Sequence, residues 1–177
     1  MTASDPGRTG DRPPVPTSRV PALGPRGEGW VLLQVVLFGV IGVSGLAAFG
    51  SSPPTGAADL GRVALGGLAV VVGGIVAVLG VLGLGASLSP FPKPVDGSAL
   101  VTHGVYRAVR HPIYSGIVLA AIGWSMATAS IVAFAGTVLL FLLFDAKSRR
   151  EEVWLAERHT GYAAYRARTK RLVPGLY

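Results

Sequence analysis

IYSGIVLAAIGWSMATASIVAFAGTVLLFLLF, residues 113–144, is the stretch that decides the fold, because its 32 residues carry no charge. As one continuous helix it would run about 48 Å, too long for a single crossing of a hydrocarbon core about 30 Å thick. It is slightly short for two full crossings. The reading that fits is a helical hairpin turning near Thr128-Ala129-Ser130, with at least one arm continuing past the membrane surface.

Two further apolar runs precede the hairpin. Residues 30–49 are uncharged for 20 residues, about one bilayer core in length. Residues 63–87 form the second run, and its repeated glycines, Gly66-Gly67, Gly73-Gly74, Gly80, Gly83 and Gly85, permit close helix approach in lipid. Between them, Ser51-Ser52-Pro53-Pro54-Thr55-Gly56 is a turn. Only 14% of the 177 residues are charged and 50% are apolar, the composition of a membrane protein. The expected fold is therefore all-α: a polytopic helical membrane protein of about four transmembrane segments, the last two a hairpin, with short cytoplasmic C-terminal helices.

The charges sort by position. Of sixteen Lys and Arg residues, four lie in the N-terminal tail, three (Lys93, Arg107, Arg110) in a middle loop, and eight between Lys147 and Arg171. With the N-terminus inside and four crossings, fifteen face the cytoplasm, as the positive-inside rule requires. The chain is accordingly placed in the cell inner membrane with both termini cytoplasmic. Basic clusters flanking apolar segments suit membrane lipids as partners rather than nucleic acid. Residues 1–29, with six prolines and five glycines and few large apolar side chains, read as a disordered tail without the pattern of a signal peptide. No cysteine is present and the three histidines lack ligand-like spacing, so no metal site is expected.

Two polar concentrations carry chemistry. In the first, Arg107-Ala108-Val109-Arg110-His111-Pro112, proline pushes His111 from helical angles and suits the first helical position. A helix beginning there presents free N–H groups beside Arg110 and His111, an anion site; snorkelling of both side chains to headgroups fits equally well. The second, Lys147-Ser148-Arg149-Arg150-Glu151-Glu152, suggests hydroxyl or ammonium recognition by its carboxylates, or plain ion pairing among neighbours. Beyond it, an amphipathic helix with Trp154 and Leu155 should break near Gly161. A second short helix, ending before Pro174, then carries Tyr162 and Tyr165.

Together, Gly104-x-Tyr106-x-x-x-Arg110-His111-Pro112-x-Tyr114-x-Gly116, the apolar hairpin, Glu151-Glu152-x-x-Leu155, Tyr162-x-x-Tyr165 and Pro174 resemble the isoprenylcysteine carboxyl methyltransferase family and its bacterial relatives, themselves related to phospholipid methyltransferases. The resemblance covers roughly residues 63–177. It implies a polytopic membrane enzyme that binds S-adenosyl-L-methionine in a cytoplasmic pocket roofed by the C-terminal region. Carried over by motif, Leu100 and Val101 would offer backbone contacts, and Tyr106, His111, Pro112 and Tyr114 would line the pocket. Glu151 would hold the cofactor's polar part, with Glu152 able to substitute, and His103 and Arg110 complete the cofactor set. Lys147 stands where family enzymes can place an arginine that meets a substrate carboxylate; with Arg149, Arg150 and Glu152 it would position the acceptor. A lysine lacks the bidentate fork, which leaves the acceptor open.

Read this way, residues 30–87 supply two transmembrane helices and residues 88–177 a methyltransferase-like core. The function expected is methylation of a lipophilic acceptor, a carboxylate needing no general base or an amine for which Glu152 or His103 would serve. Two other classes compete. A membrane reductase with a similar core would need a nicotinamide site, for which no Gly-x-Gly-x-x-Gly turn is present, and a non-catalytic adaptor would use both polar clusters only to grip headgroups.

Overall fold

The computed structural model describes residues 20–21, 23–91 and 97–177. Residues 1–19 and 22, most of the expected disordered tail, lie outside the described residues, as does Lys93. Among the described residues there are five α-helices: α1 (Glu28–Ser51), α2 (Ala57–Leu84), α3 (Pro112–Ala127), α4 (Ile131–Arg158) and α5 (Tyr162–Arg168). Short 3-10 turns occupy Gly85–Ser87 and Gly104–Arg107. Helix α1 begins at Glu28, ahead of the uncharged run, because a carboxylate in the first turn favours the positive end of the helix dipole.

The chain is a polytopic helical membrane protein. Helices α1, α2 and α4 are each long and apolar enough to cross a membrane, whereas α3 has 16 residues, about 24 Å, and is the short arm of the hairpin. Helix α4 makes up the difference: its 28 residues carry the chain from the apolar run through the second polar concentration without a break. The turn is where the sequence put it. Ala129 takes φ 51°, and the Ser130 hydroxyl caps α4 by accepting from the Ala133 N–H at 3.1 Å. Arg62, at the start of α2, closes the same end by donating to the Met126 carbonyl at 2.8 Å and the Ala127 carbonyl at 2.5 Å, at the C-terminal end of α3.

Helices α2 and α3 pack backbone to backbone. A Cβ on Gly73 would stand 2.5 Å from the Gly116 carbonyl oxygen, and one on Gly66 2.5 Å from that of Gly123. With Gly80 against Ile113, these glycines recur every seven residues, which keeps one smooth face toward α3 along two-turn steps. The opposite face of α2 exposes Leu65, Leu68, Val72, Ile75 and Leu79, as a lipid-facing surface requires. Across the hairpin, α1 joins α4 around Ile41, Ala133, Leu140 and Phe144, and the Trp124 indole N–H donates to the Ile41 carbonyl at 3.1 Å.

At the other end the C-terminal segment folds back on the loop before α3. The Arg110 N–H donates to the Lys170 carbonyl at 2.8 Å and the His111 N–H to that of Arg171 at 3.1 Å. Tyr165 donates to the Tyr106 carbonyl at 2.8 Å. These contacts bring both polar concentrations and α5 to one place.

Candidate functional site

Pro112 opens α3, and His111 before it has φ −125° and ψ 62°, outside the helical region. That geometry turns the His111 ring back toward α4. Its ring nitrogens face two successive carboxylates: Nδ1 lies 3.7 Å from a Glu151 oxygen and Nε2 3.3 Å from a Glu152 oxygen. Below it, the Tyr114 ring stacks parallel at 5.4 Å and its hydroxyl donates to Glu151 at 3.0 Å. Tyr114 in turn lies on Phe144 at 4.5 Å, so the apolar hairpin holds the polar layer from beneath.

The two glutamates differ in surroundings. Glu152 is buried and accepts from Arg110 Nε at 2.8 Å and Arg171 Nε at 3.2 Å, with His111 beside it. Arg110 also donates to the Thr169 carbonyl. This is an internal ion network that ties α3, α4 and the C-terminal segment together. Glu151 instead lines a cavity of about 290 Å³, close to the lower end of the range common for small-molecule sites, about 300–1,000 Å³.

The lining of the cavity is mixed: Tyr106, Arg110, His111, Tyr114, Glu151, Tyr162 and Tyr165 contribute polar side chains, and Val31, Val81, Leu84, Phe91, Ile113 and Ile117 apolar ones. Leu100 and Val101 also line it. Lys147, fully buried, reaches in from α4. Its Nζ donates to the Gln34 side-chain oxygen at 2.9 Å and the Pro90 carbonyl at 3.2 Å, and lies 5.3 Å from the Tyr114 ring centre. Among the described residues no carboxylate is within salt-bridge distance of it.

Of the residues singled out from sequence, eight meet at this cavity: Leu100, Val101, Tyr106, Arg110, His111, Tyr114, Lys147 and Glu151. The other five stand off its walls. His103 is exposed at the entry to a 3-10 turn, and Pro112 packs against α2 near Gly80. Arg149 pairs with Asp145 at 2.8 Å, Arg150 covers Trp154 at 4.5 Å, and Glu152 is enclosed in the network above. Local ion pairing thus accounts for Arg149, while Lys147, one turn from Glu151, takes the inward position.

Gln34 and Tyr162, which both line the cavity, had no role in the site assigned from sequence. Gln34 on α1 was signalled only by being a lone amide within an otherwise apolar span. Tyr162 was quoted in a motif without a function. It is 2% exposed, and its hydroxyl has no hydrogen-bond partner among the described residues although it borders the cavity. Burial, reinforced by Glu152, pushes its ionisation well above the usual phenol range, so the group remains a neutral O–H donor. Burial likewise pushes Tyr165 up to about 12. A buried unpaired hydroxyl is costly, so a ligand polar atom in the cavity would relieve it.

These features define a helical membrane-protein site in which one cavity is lined by both polar and apolar side chains. The phospholipid methyltransferase family profile matches residues 61–160, more than half of the chain, and the chain belongs to that family. Two relatives from rice, Oryza sativa subsp. indica and subsp. japonica, are named probable protein-S-isoprenylcysteine O-methyltransferases. Each is 34% identical over 93 residues, 50% of this chain and 48% of the relative. The cobalt-zinc-cadmium resistance protein CzcN of Cupriavidus metallidurans is 35% identical over 80 residues, 45% of this chain and 37% of that protein. The chain thus spans about half the length, or less, of the curated relatives it matches. No solved structure matches it.

Proposed function

We propose that the chain is a membrane-embedded methyltransferase that uses S-adenosyl-L-methionine to methylate a lipophilic acceptor carrying a carboxylate or amine head. The observation that carries this reading is that His111, Tyr114, Glu151 and Tyr162, whose hydroxyl has no hydrogen-bond partner among the described residues, line one cavity together with apolar side chains. Family membership and the rice relatives support it.

The residues present suit the cofactor. Glu151 would accept from its ammonium or ribose hydroxyls, and the Tyr162 O–H with the first-turn N–H groups of α3 would meet its carboxylate. The faces of Tyr106 and Tyr114 suit a sulfonium. When bound, S-adenosyl-L-methionine supplies an electrophilic methyl group. The chain's own task is then to hold a nucleophile in line and keep water out, to which the buried Tyr106, Tyr162 and Tyr165 in the cavity wall would contribute. Glu152 orients His111 and Arg110 rather than touching ligand.

Lys147 with Gln34 would hold the acceptor's head. A buried ammonium bonded only to neutral oxygens gains from an anion brought into the cavity, so a negatively charged head is favoured. The acceptor's chain would lie against the apolar side chains of the cavity and enter laterally from the bilayer. We read residues 88–177 as the catalytic core and residues 30–87 as its membrane scaffold, in the inner membrane with both termini cytoplasmic.

The test is methyl transfer from labelled S-adenosyl-L-methionine to acceptors with and without a prenyl or acyl chain. Transfer should rise with chain length, because remote binding energy positions the reacting atom. Transfer only to small water-soluble acceptors would refute lateral entry, and no transfer to any lipophilic carboxylate or amine would refute the reading.

A further inference from the structure

A second apolar cavity lies apart from the site just described. It measures about 380 Å³ and runs along α3 from Pro112 to Ile122, about 15 Å, with Leu119, Phe141 of α4 and Val173 among its walls. At 100° per residue, Ser115, Leu119 and Ile122 face away from Ile113, Tyr114 and Ile117, which line the first cavity. The groove is therefore not the acceptor's path. It offers a ligand nothing polar. Its single hydroxyl, on Ser115, already donates to the Leu172 carbonyl at 2.5 Å.

Charge gathers at the mouth of this groove. Residues 104–110 and 162–177 hold six Lys and Arg and no Asp or Glu. Arg110, Arg166 and Arg171 are paired with Glu152, and Arg171 also with Asp145. That leaves Arg107, next to the groove residue Ala108, Arg168, and Lys170, bridged to the groove residue Val109, all three exposed. The same backbone segment continues into a basin of about 320 Å³ walled by Arg166, Arg168, Lys170 and Arg171, with no Asp or Glu side chain among its lining residues. An apolar slot joined by one short segment to a basin that presents the exposed Arg168 and Lys170 is complementary to a molecule with a hydrocarbon chain and an anionic head.

We propose that this face binds one anionic phospholipid, with an acyl chain along α3 and its phosphate against Arg168 and Lys170, assisted by Arg107. The site would pin the C-terminal segment, and with it the Arg171–Glu152 contact, to the membrane surface. It is independent of the methyltransferase reading and stands or falls separately.

Native mass spectrometry of the full chain in micelles tests it, with equimolar dioleoylphosphatidylglycerol and dioleoylphosphatidylcholine offered together and glycerol 3-phosphate in a separate arm. The parent should retain the anionic lipid about tenfold over the zwitterionic one, because basic residues near the membrane surface attract anionic headgroups and salt screens part of that attraction. The triple variant R107Q/R168Q/K170Q should fall to parity. Leu119→Trp, which fills the slot, should lower retention of both lipids while the helical circular dichroism spectrum is unchanged. Parity in the parent, a preference that survives the triple variant, or undiminished retention in Leu119→Trp would overturn the proposal. Competition by glycerol 3-phosphate as effective as the lipid itself would overturn it too, leaving only a soluble-phosphate pocket.

Discussion

The interface between α2 and α3 and the polar junction where α3, α4 and the C-terminal segment meet are both tightly ordered, by opposite means. The first has almost no side chains: Gly66 and Gly73 lie against Gly123 and Gly116, and the contact is backbone on backbone. The second is nearly all side chain, with Arg110, His111 and Arg171 converging on the single buried carboxylate of Glu152. In lipid, apolar burial gives little drive for helix association, so close van der Waals contact has to supply it. At the membrane edge, charge can be desolvated only if it is paired. One interface should therefore be sensitive to added volume and the other to lost charge.

The largest effect should follow loss of charge. Glu152→Ala leaves Arg110 and Arg171 without their shared partner, and stability should fall by about 3–5 kcal/mol, the usual cost of breaking a buried pair. Unfolding in mixed micelles measures it. A loss below about 1 kcal/mol, the scale of a surface pair, would show that the network is solvated rather than buried.

Added volume comes next. Gly73→Val places its Cβ against the Gly116 carbonyl and should cost about 1–3 kcal/mol by forcing the helices apart. Gly74→Ala is the control, since nothing lies within 4 Å of a Cβ there, and it should be neutral within about 0.5 kcal/mol. Equal effects at the two positions would remove the glycine face from the account.

What could be read from the chain before its structure divides along the same line. The hairpin turn at Thr128-Ala129-Ser130 and the start of α3 at Pro112 are local consequences of an uncharged length and of proline geometry, and both were readable. The seven-residue glycine spacing was visible as composition, but its partner on α3 was not. Glu152 looked equivalent to Glu151, because only contacts 42 and 19 residues away, to Arg110 and Arg171, separate a buried structural carboxylate from one facing a cavity. Gln34 reaches Lys147 across 113 residues, a pairing no local spacing encodes. Arg149 and Arg150 were grouped with Lys147 by proximity in sequence, yet successive helical positions point about 100° apart, and only Lys147 turns inward.

A smaller but sharper contrast separates stability from binding at Tyr162. Its hydroxyl makes no hydrogen bond among the described residues, so Tyr162→Phe should leave stability unchanged within about 0.5 kcal/mol, or raise it slightly. The same change should weaken binding of S-adenosylhomocysteine, because the hydroxyl's partner is expected on the ligand.

Titration calorimetry of the purified full-length chain with S-adenosylhomocysteine tests the central claim most directly. The parent should bind one equivalent. Tyr162→Phe and Glu151→Ala should each lose about 1–3 kcal/mol of binding, roughly five- to 150-fold in Kd, while remaining monodisperse. No binding by the parent, or parent-like binding by both folded variants, would contradict the assignment of this cavity to the cofactor.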